Sequence, residues 1–324
     1  MPTTKTPTTH ATMRAIAAPR WGDPEVLEPV TIARPVPGPT EILVAVHAAG
    51  VNPTDWKSRA SGGFGLWRDP PILGYDVSGV VEAVGRGASL FEPGDEVFGM
   101  PRFPEQAGAY AEYVAAPSRR FVRKPEGLDH VHAAALPLVC LTAWQSLAEV
   151  AEVQPGQRVL IHAAAGGLGH VAIQVAKALG AYVIGTASAH KHELLRSLGA
   201  DELIDYRQTD FADTLSDVDV VLDTIGGDYG MRSLATLRRG GILVWIPGPL
   251  DPAVATRGRE LGVQTGFTLV EPDRVGLLAI TELVESGKLR VEIADVLPLA
   301  EAAQAHRLGE SNRTTGKLVL KVRD

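Results

Sequence analysis

One cysteine, Cys140, stands in a chain of 324 residues. A single thiol closes no internal disulfide and offers at most one soft metal ligand, so a disulfide framework and a thiolate zinc site are both excluded. The net charge is −7 and no basic run interrupts the sequence. A nucleic-acid-binding face needs clustered Lys and Arg, and none is expected here. No apolar stretch reaches the roughly 20 residues of a membrane helix. The first dozen residues, MPTTKTPTTHAT, lack a hydrophobic signal core and are rich in Thr and Pro. They read as a disordered tail over 1–12, and a cytoplasmic location follows from the missing signal.

What is present is concentrated in RVLIHAAAGGLGHVAIQVAKALGAYVIGTAS at 158–188. Val159 to Ile161 is an apolar, β-branched run of buried-strand type. Ala165, Gly166, Gly167, Leu168 and Gly169 form a glycine-rich turn. Val171, Ile173, Val175, Ala176 and Leu179 then carry a helical apolar pattern that stops at Gly180, and a second apolar run begins at Ala181. Strand, glycine turn, helix and strand in this order make a dinucleotide-binding unit. Glycines let amides at the helix start approach a pyrophosphate, where the helix dipole favours negative charge.

The acidic residue expected about 20 positions beyond such a turn is missing. Thr186, Ala187 and Ser188 stand there instead, followed by His190 and Lys191. An acid would bind the ribose hydroxyls and repel a 2′-phosphate, whereas a hydroxyl with a cation would hold it. NADPH is therefore expected over NADH. Ser188 as a helix cap and Lys191 as a solvated lysine are compatible with that role.

Elsewhere the pattern divides in two. Arg14–Ala17, Val30–Ala33, Glu41–Ala48 and Val77–Val84 read as short strands with Pro and Gly between them, a compact β-barrel-like domain. Residues 129–139 and 142–150 read as helices. Strands are expected at 159–162, 182–186, 202–205, 218–222, 242–246 and 263–267, forming one parallel sheet, with a helix over 275–286. The last strand, 317–322, comes too late for that sheet and is expected to return to the first domain.

Nine segments carry a family resemblance: GVNPTDWKSR (50–59), LGYDVSGVVEAVG (73–85), GDEVFG (94–99), GAYAEYV (108–114), LPLVCLTAW (136–144), AAAGGLGHVAIQVAKALGA (163–181), LGADELIDYR (198–207), DTIGG (223–227) and GKLVLKV (316–322). In order and over nearly the whole chain, they resemble the medium-chain dehydrogenase/reductase superfamily, in its zinc-free quinone oxidoreductase, zeta-crystallin-like group. The resemblance implies an α/β fold with a Rossmann doubly wound sheet inserted in a GroES-like domain. The expected bounds are 13–133 and 288–324 for the GroES-like catalytic domain and 134–287 for the NADPH-binding domain.

Zinc members of the superfamily place a Cys where this chain has Asn52 and a His where it has Tyr75, within Gly74-Tyr75-Asp76. The four-cysteine lobe expected after GDEVFG is replaced by FGMPRFPEQAGAY. Cys140 and His47 are read as packing residues, and no metal is expected. Without a metal, the resemblance implies direct hydride transfer to an already activated acceptor, a quinone or an α,β-unsaturated carbonyl. The protein's part is to position the two partners and stabilise the developing oxygen charge.

Asn52, Tyr75 and Thr142 hold the family positions for that stabilisation, each with a bland counterpart: a turn before Pro53, a packed aromatic, a helix cap. Asp55 and Arg59 read as a supporting ion pair. The resemblance adds cofactor contacts at Ser188, Lys191 and Tyr206, at Thr224–Ile225 and Ile246–Pro247 beyond strand ends, and at Lys317, which reads equally as a strand-edge lysine. Phe64 and Trp67 in SGGFGLW either stack on a flat acceptor or pack.

Two alternatives stay open. An enoyl reductase acting on acyl thioesters or a polyketide intermediate would run the same reaction, although Ile246-Pro247-Gly248-Pro249 lacks the Ile-Gly-Lys of synthase domains. A low-turnover NADPH-binding sensor needs only the turn and phosphate pocket. The segment VQTGF (263–267) reads as an unguarded edge strand, so a homodimer is expected.

Overall fold

The computed structural model describes residues 11–323. Most of the tail expected over 1–12 lies outside the described residues, but Thr12 is already strand, paired with Ala33. The first domain supplies β1 (Thr12–Ala17), β2 (Glu28–Ala33), β3 (Glu41–Val51), α1 (Pro53–Ser61), β4 (Val77–Val84), β5 (Glu96–Gly99), β6 (Tyr113–Pro117) and β7 (Phe121–Arg123). The run EILVAVHAAGV of β3 is almost wholly buried because strands flank it on both sides, β4 and β6 at one end and β15 (Lys317–Lys321) at the other. α1 starts where the Asp55 carboxylate accepts the Asn52 N–H at 2.7 Å, and it ends at Gly62 with φ 85°.

The chain crosses between domains through α2 (His130–Ala134) and α3 (Pro137–Trp144), the latter continued by a π turn over 145–150. A continuous helix over 129–139 is not formed. Pro137 opens a new helix: it has no N–H to bond back into α2, although Leu136 before it keeps helical backbone at φ −86°, ψ −46°. Thr142 is correspondingly a mid-helix residue, not a cap.

The second domain alternates β8 (Arg158–Ile161), α4 (Gly169–Ala178), β9 (Tyr182–Thr186), α5 (His192–Ser197), β10 (Glu202–Ile204), α6 (Phe211–Thr214), β11 (Val218–Asp223), α7 (Asp228–Thr236), β12 (Leu237–Trp245), α8 (Pro252–Leu261), β13 (Gln264–Phe267) and α9 (Arg274–Glu285). Its six strands are parallel in the order β10-β9-β8-β11-β12-β13, a Rossmann sheet with β13 on one edge. β14 (Ile293–Pro298) and α10 (Ala302–Glu310) then lead back to β15, which lies between β14 and β3 in a seven-stranded sheet. The order reverses between β8 and β11, so a crevice opens at their carboxyl ends. Among the described residues no helix is long and apolar enough to cross a membrane.

Candidate active site

The glycine turn follows β8 directly. A Cβ on Gly169 would stand 2.5 Å from the Ala163 carbonyl oxygen and 2.7 Å from Ala164 Cα, so only glycine lets α4 pack this close to the strand end. The turn is also tied to the other domain. Gly316 donates to the Ala165 carbonyl at 3.0 Å. His170 Nδ1 bonds the Gly166 carbonyl at 2.8 Å while its Nε2 accepts from Glu292 N at 3.1 Å. Burial pushes this imidazole down to about 4, so it stays neutral and keeps that tautomer.

At the end of β9 the Ser188 hydroxyl donates to the Tyr206 hydroxyl at 3.2 Å. Lys191 stands beside them, its ammonium reaching the Arg313 carbonyl at 3.3 Å. Ser188 occupies a helix N-cap position, but its side chain makes no capping bond. A hydroxyl, a half-exposed phenol and a cation therefore converge with no acid among them, a donor set that fits a 2′-phosphate.

Across the crevice the polar groups are buried. Gly74, at φ 91°, turns the chain into β4; a Cβ there would come 2.4 Å from the Tyr110 ring. Beyond it, Tyr75 is 1% exposed, and its hydroxyl stands beside Ser58 without a hydrogen bond of regular geometry. Burial, then the nearby Asp55 charge, raises its pKa, so the phenol keeps its proton throughout the working range. The Phe103 ring meets Tyr75 edge-on at 5.0 Å, and Phe64 meets Phe103 at 5.5 Å, an aromatic wall running outward to the half-exposed Phe64. Trp67 turns away, tilted on Trp21 at 5.6 Å with its indole N–H on the Gly62 carbonyl.

Below lies an inward-facing network. Asn52 donates from Nδ2 to Asp76 Oδ2 at 2.8 Å, and its Oδ1 accepts from the Lys317 ammonium. Lys317 also donates to the Val51 carbonyl at 2.9 Å and stands 3.7 Å from Asp76 Oδ2. Asp76 Oδ1 accepts Leu138 N at 2.8 Å. Burial raises the Asp76 carboxyl, and these donors hold it back. Asp55 has fewer partners: Asn52 N and the Tyr110 hydroxyl share one oxygen, and the other has none. Burial pushes Asp55 up to about 7.

The chain is similar to known proteins over nearly its whole length. The alcohol dehydrogenase GroES-like domain family matches residues 38–126, and the zinc-binding dehydrogenase family matches 198–320. Human quinone oxidoreductase is 32% identical over 327 residues, covering 95% of this chain and 97% of that protein. The solved quinone oxidoreductase of Coxiella burnetii superimposes with a TM-score of 0.91 at 39% identity, covering 97% of this chain and all of that one. A mycobacterial relative solved with NADPH gives a TM-score of 0.85 at 32% identity, over 96% of this chain and 100% of its own. The chain belongs to the zinc-free quinone oxidoreductase group of the medium-chain dehydrogenase/reductase superfamily.

Within that family frame several expectations need correcting. Asp55 and Arg59 are not an ion pair: Arg59 pairs with Glu310, and Asp55 caps α1. Thr142 donates its hydroxyl proton to Leu138 O at 2.7 Å, one turn back in its own helix, so it has lone pairs but no O–H for a substrate. Lys317 is neither a strand-edge lysine nor solvent-facing; at 2% exposure it lies under the turn, its stem 3.1 Å from where a Gly167 Cβ would be. His47 stacks on His130 at 4.3 Å, while Cys140 is fully buried. Among the described residues no group of three or more His, Cys, Asp or Glu is arranged to hold a metal.

The backbone positions fall beside the crevice. Thr224 bonds the His162 carbonyl at 2.9 Å, Ile225 is half exposed, Ile246 N bonds the Asp223 carbonyl at 3.0 Å, and the Pro247 carbonyl accepts from Lys57. Sequence reasoning gave Asp76 no role. Its signal was a lone carboxylate inside an otherwise apolar stretch, which burial allows only with partners. The Arg313 segment left no such trace.

Proposed function

We propose that this chain uses NADPH to reduce a quinone or an α,β-unsaturated carbonyl by direct hydride transfer. The observation that carries the reading is the Tyr75 hydroxyl, a buried donor without a regular hydrogen bond to the protein, flanked by the Phe103 ring. A buried polar group without a partner needs an explanation, and at the crevice an acceptor's oxygen supplies one. When bound, the dinucleotide supplies the hydride. Ala165–Gly169 would hold its pyrophosphate, and Ser188, Lys191 and Tyr206 its 2′-phosphate. Thr224–Ile225 and Ile246–Pro247 would flank its nicotinamide.

The chain's own contribution is orientation. Tyr75 offers its proton to the acceptor's oxygen as charge develops there, and the second N–H of the Asn52 amide is available beside it. Asn52 itself is held in one orientation by Asp76 and Lys317. Thr142 contributes a lone pair and packing. Lys317 supports Gly167 with its stem and fixes Asn52 with its ammonium. We assign the exposed edge of β13 to a homodimer interface, since no Lys or Pro guards Gln264–Phe267; sedimentation as a monomer at micromolar concentration would remove that assignment.

The test is steady-state NADPH oxidation with a simple quinone, an enone and an acyl-thioester enone, using stereospecifically deuterated cofactor. Deuterium is expected in the product of the quinone or enone reaction. Turnover of the thioester alone would favour the enoyl reductase, and tight NADPH binding without turnover the sensor.

A further inference from the structure

Lys57 lies one turn into α1, and its neighbours Asp55, Ser58 and Arg59 are buried while it is exposed. Its ammonium donates at 3.1 Å to the Pro247 carbonyl, 190 residues away on the loop beyond β12. A lysine of the GroES-like domain thus spans the crevice to the nicotinamide-side loop of the Rossmann domain. Among the described residues this neutral carbonyl is the ammonium's one hydrogen-bond partner, and no carboxylate pairs with it.

Such a cation is underused. A charge-assisted bond to an anion is about twice as strong as a neutral one, so an anionic group entering the crevice gains by displacing the carbonyl. The surroundings sharpen this. The chain carries a net charge of −7, so its average field repels anions and a local cation decides whether one is admitted. The wall nearby is apolar and flat-sided, with Phe64 and Leu66 both half exposed and Phe64 set edge-on to Phe103.

We propose that Lys57 is a specificity-determining residue that selects flat acceptors carrying an anionic substituent, a carboxylate or sulfonate, beside the reducible ring. The proposal rests on the reductase reading given above. It makes the Lys57–Pro247 bridge the resting partner of a cation whose working partner is the substrate.

The experiment compares kcat/KM for a naphthoquinone and for its sulfonate derivative in the wild type, Lys57→Met, Lys57→Glu and Lys57→Arg. The readout is the ratio of sulfonate to parent, which cancels the general reactivity of each variant. Because the site is solvent-exposed, the ratio is expected to fall about fivefold in Lys57→Met and further in Lys57→Glu, and to be kept in Lys57→Arg. The wild-type ratio should also fall with rising ionic strength, whereas that of Lys57→Met should not. An unchanged ratio, or an equal loss for both quinones, overturns the proposal and leaves the lysine as a domain bridge. Failure of the wild type to reduce either quinone overturns the inference, and failure with the enone as well overturns the reductase reading with it.

Discussion

Replacing Lys317 with Met is the perturbation that asks most of the buried network. The side chains are of similar length, so packing under Gly167 is largely kept while the charge is removed. Two acceptors lose their donor, the Val51 carbonyl at 2.9 Å and Asn52 Oδ1, and Asp76 loses an ion pair at 3.7 Å. Asp76 keeps Asn52 Nδ2 and Leu138 N, each at 2.8 Å, but loses the one cation that pairs with it among the described residues. Breaking a buried ion pair from one side typically costs about 3–5 kcal/mol, because a charge is left without compensation. Asp76 can limit that cost by taking up a proton, so the lower end, about 3 kcal/mol, is expected near neutral pH.

The sign with pH follows. In the variant the folded-state pKa of Asp76 is raised further above its unfolded value of 3.8. The folded variant then binds a proton more tightly than the unfolded chain. Its stability relative to wild type should therefore recover as pH falls from 7 toward 5. Urea unfolding of wild type, Lys317→Met, Asp76→Asn and the double variant forms the cycle. The double variant should be more stable than Lys317→Met alone by about 1–3 kcal/mol, since the amide removes the stranded charge. A loss below about 1 kcal/mol in Lys317→Met, or a double variant no better than that single, would refute the argument.

Lys191→Ala should weaken NADPH binding about tenfold and leave NADH nearly unchanged, by the loss of one charge-assisted phosphate contact; titration calorimetry with both cofactors checks it. Tyr75→Phe should lower kcat by about 10²-fold, as loss of an oxyanion donor does, with NADPH affinity within about twofold; normal turnover would make Tyr75 a packing residue. His162, His170 and His306 are buried neutral, with pKa values pushed down by burial to about 3, 4 and 3 from 6.5. Their stabilisation is present above pH 6.5 and is lost as pH falls toward the folded values, so unfolding should steepen below pH 6 by about 1.4 kcal/mol per pH unit for each histidine. The raised Asp55 carboxyl works in the opposite sense, so the check is by difference: a profile no shallower in His162→Asn than in wild type between pH 6 and 4 would contradict that burial.

The parts of this molecule that were legible in sequence are those written locally. The glycine turn, the βα rhythm and the β13 edge each occupy a few dozen consecutive residues, and apolar periodicity reads them directly. The helix over 129–139 failed because apolar periodicity runs on through Pro137 while the hydrogen-bond ladder cannot, proline having no N–H to donate. Thr142 was misplaced with it: moving the helix start to 137 turns a cap into a mid-helix hydroxyl bonded to Leu138. Asp55 and Arg59 are four apart on α1, the spacing of an ion pair, yet the N-cap N–H draws one and Glu310, far along the chain, draws the other. Asn52 meets Asp76 across 24 residues and Lys317 across 265, and no periodicity reports partners that only strand order brings together.

That strand order gives the network its consequence for function. Asn52 closes β3, Asp76 precedes β4, and Lys317 opens β15, three neighbouring strands of one sheet. Leu138 N comes from α3, and Gly316 reaches the Ala165 carbonyl of the glycine turn. An amide, a carboxylate and an ammonium thus fix one another. The proposed floor of the acceptor site and the turn expected to carry the hydride donor are linked through Gly316–Lys317, beside the His170–Glu292 tie. Hydride transfer is sensitive to misplacement of well under an ångström, and a loosely docked pair of domains would not hold it. On the reading proposed above, the buried lysine would set the distance between the two sites without touching the reacting atoms of either.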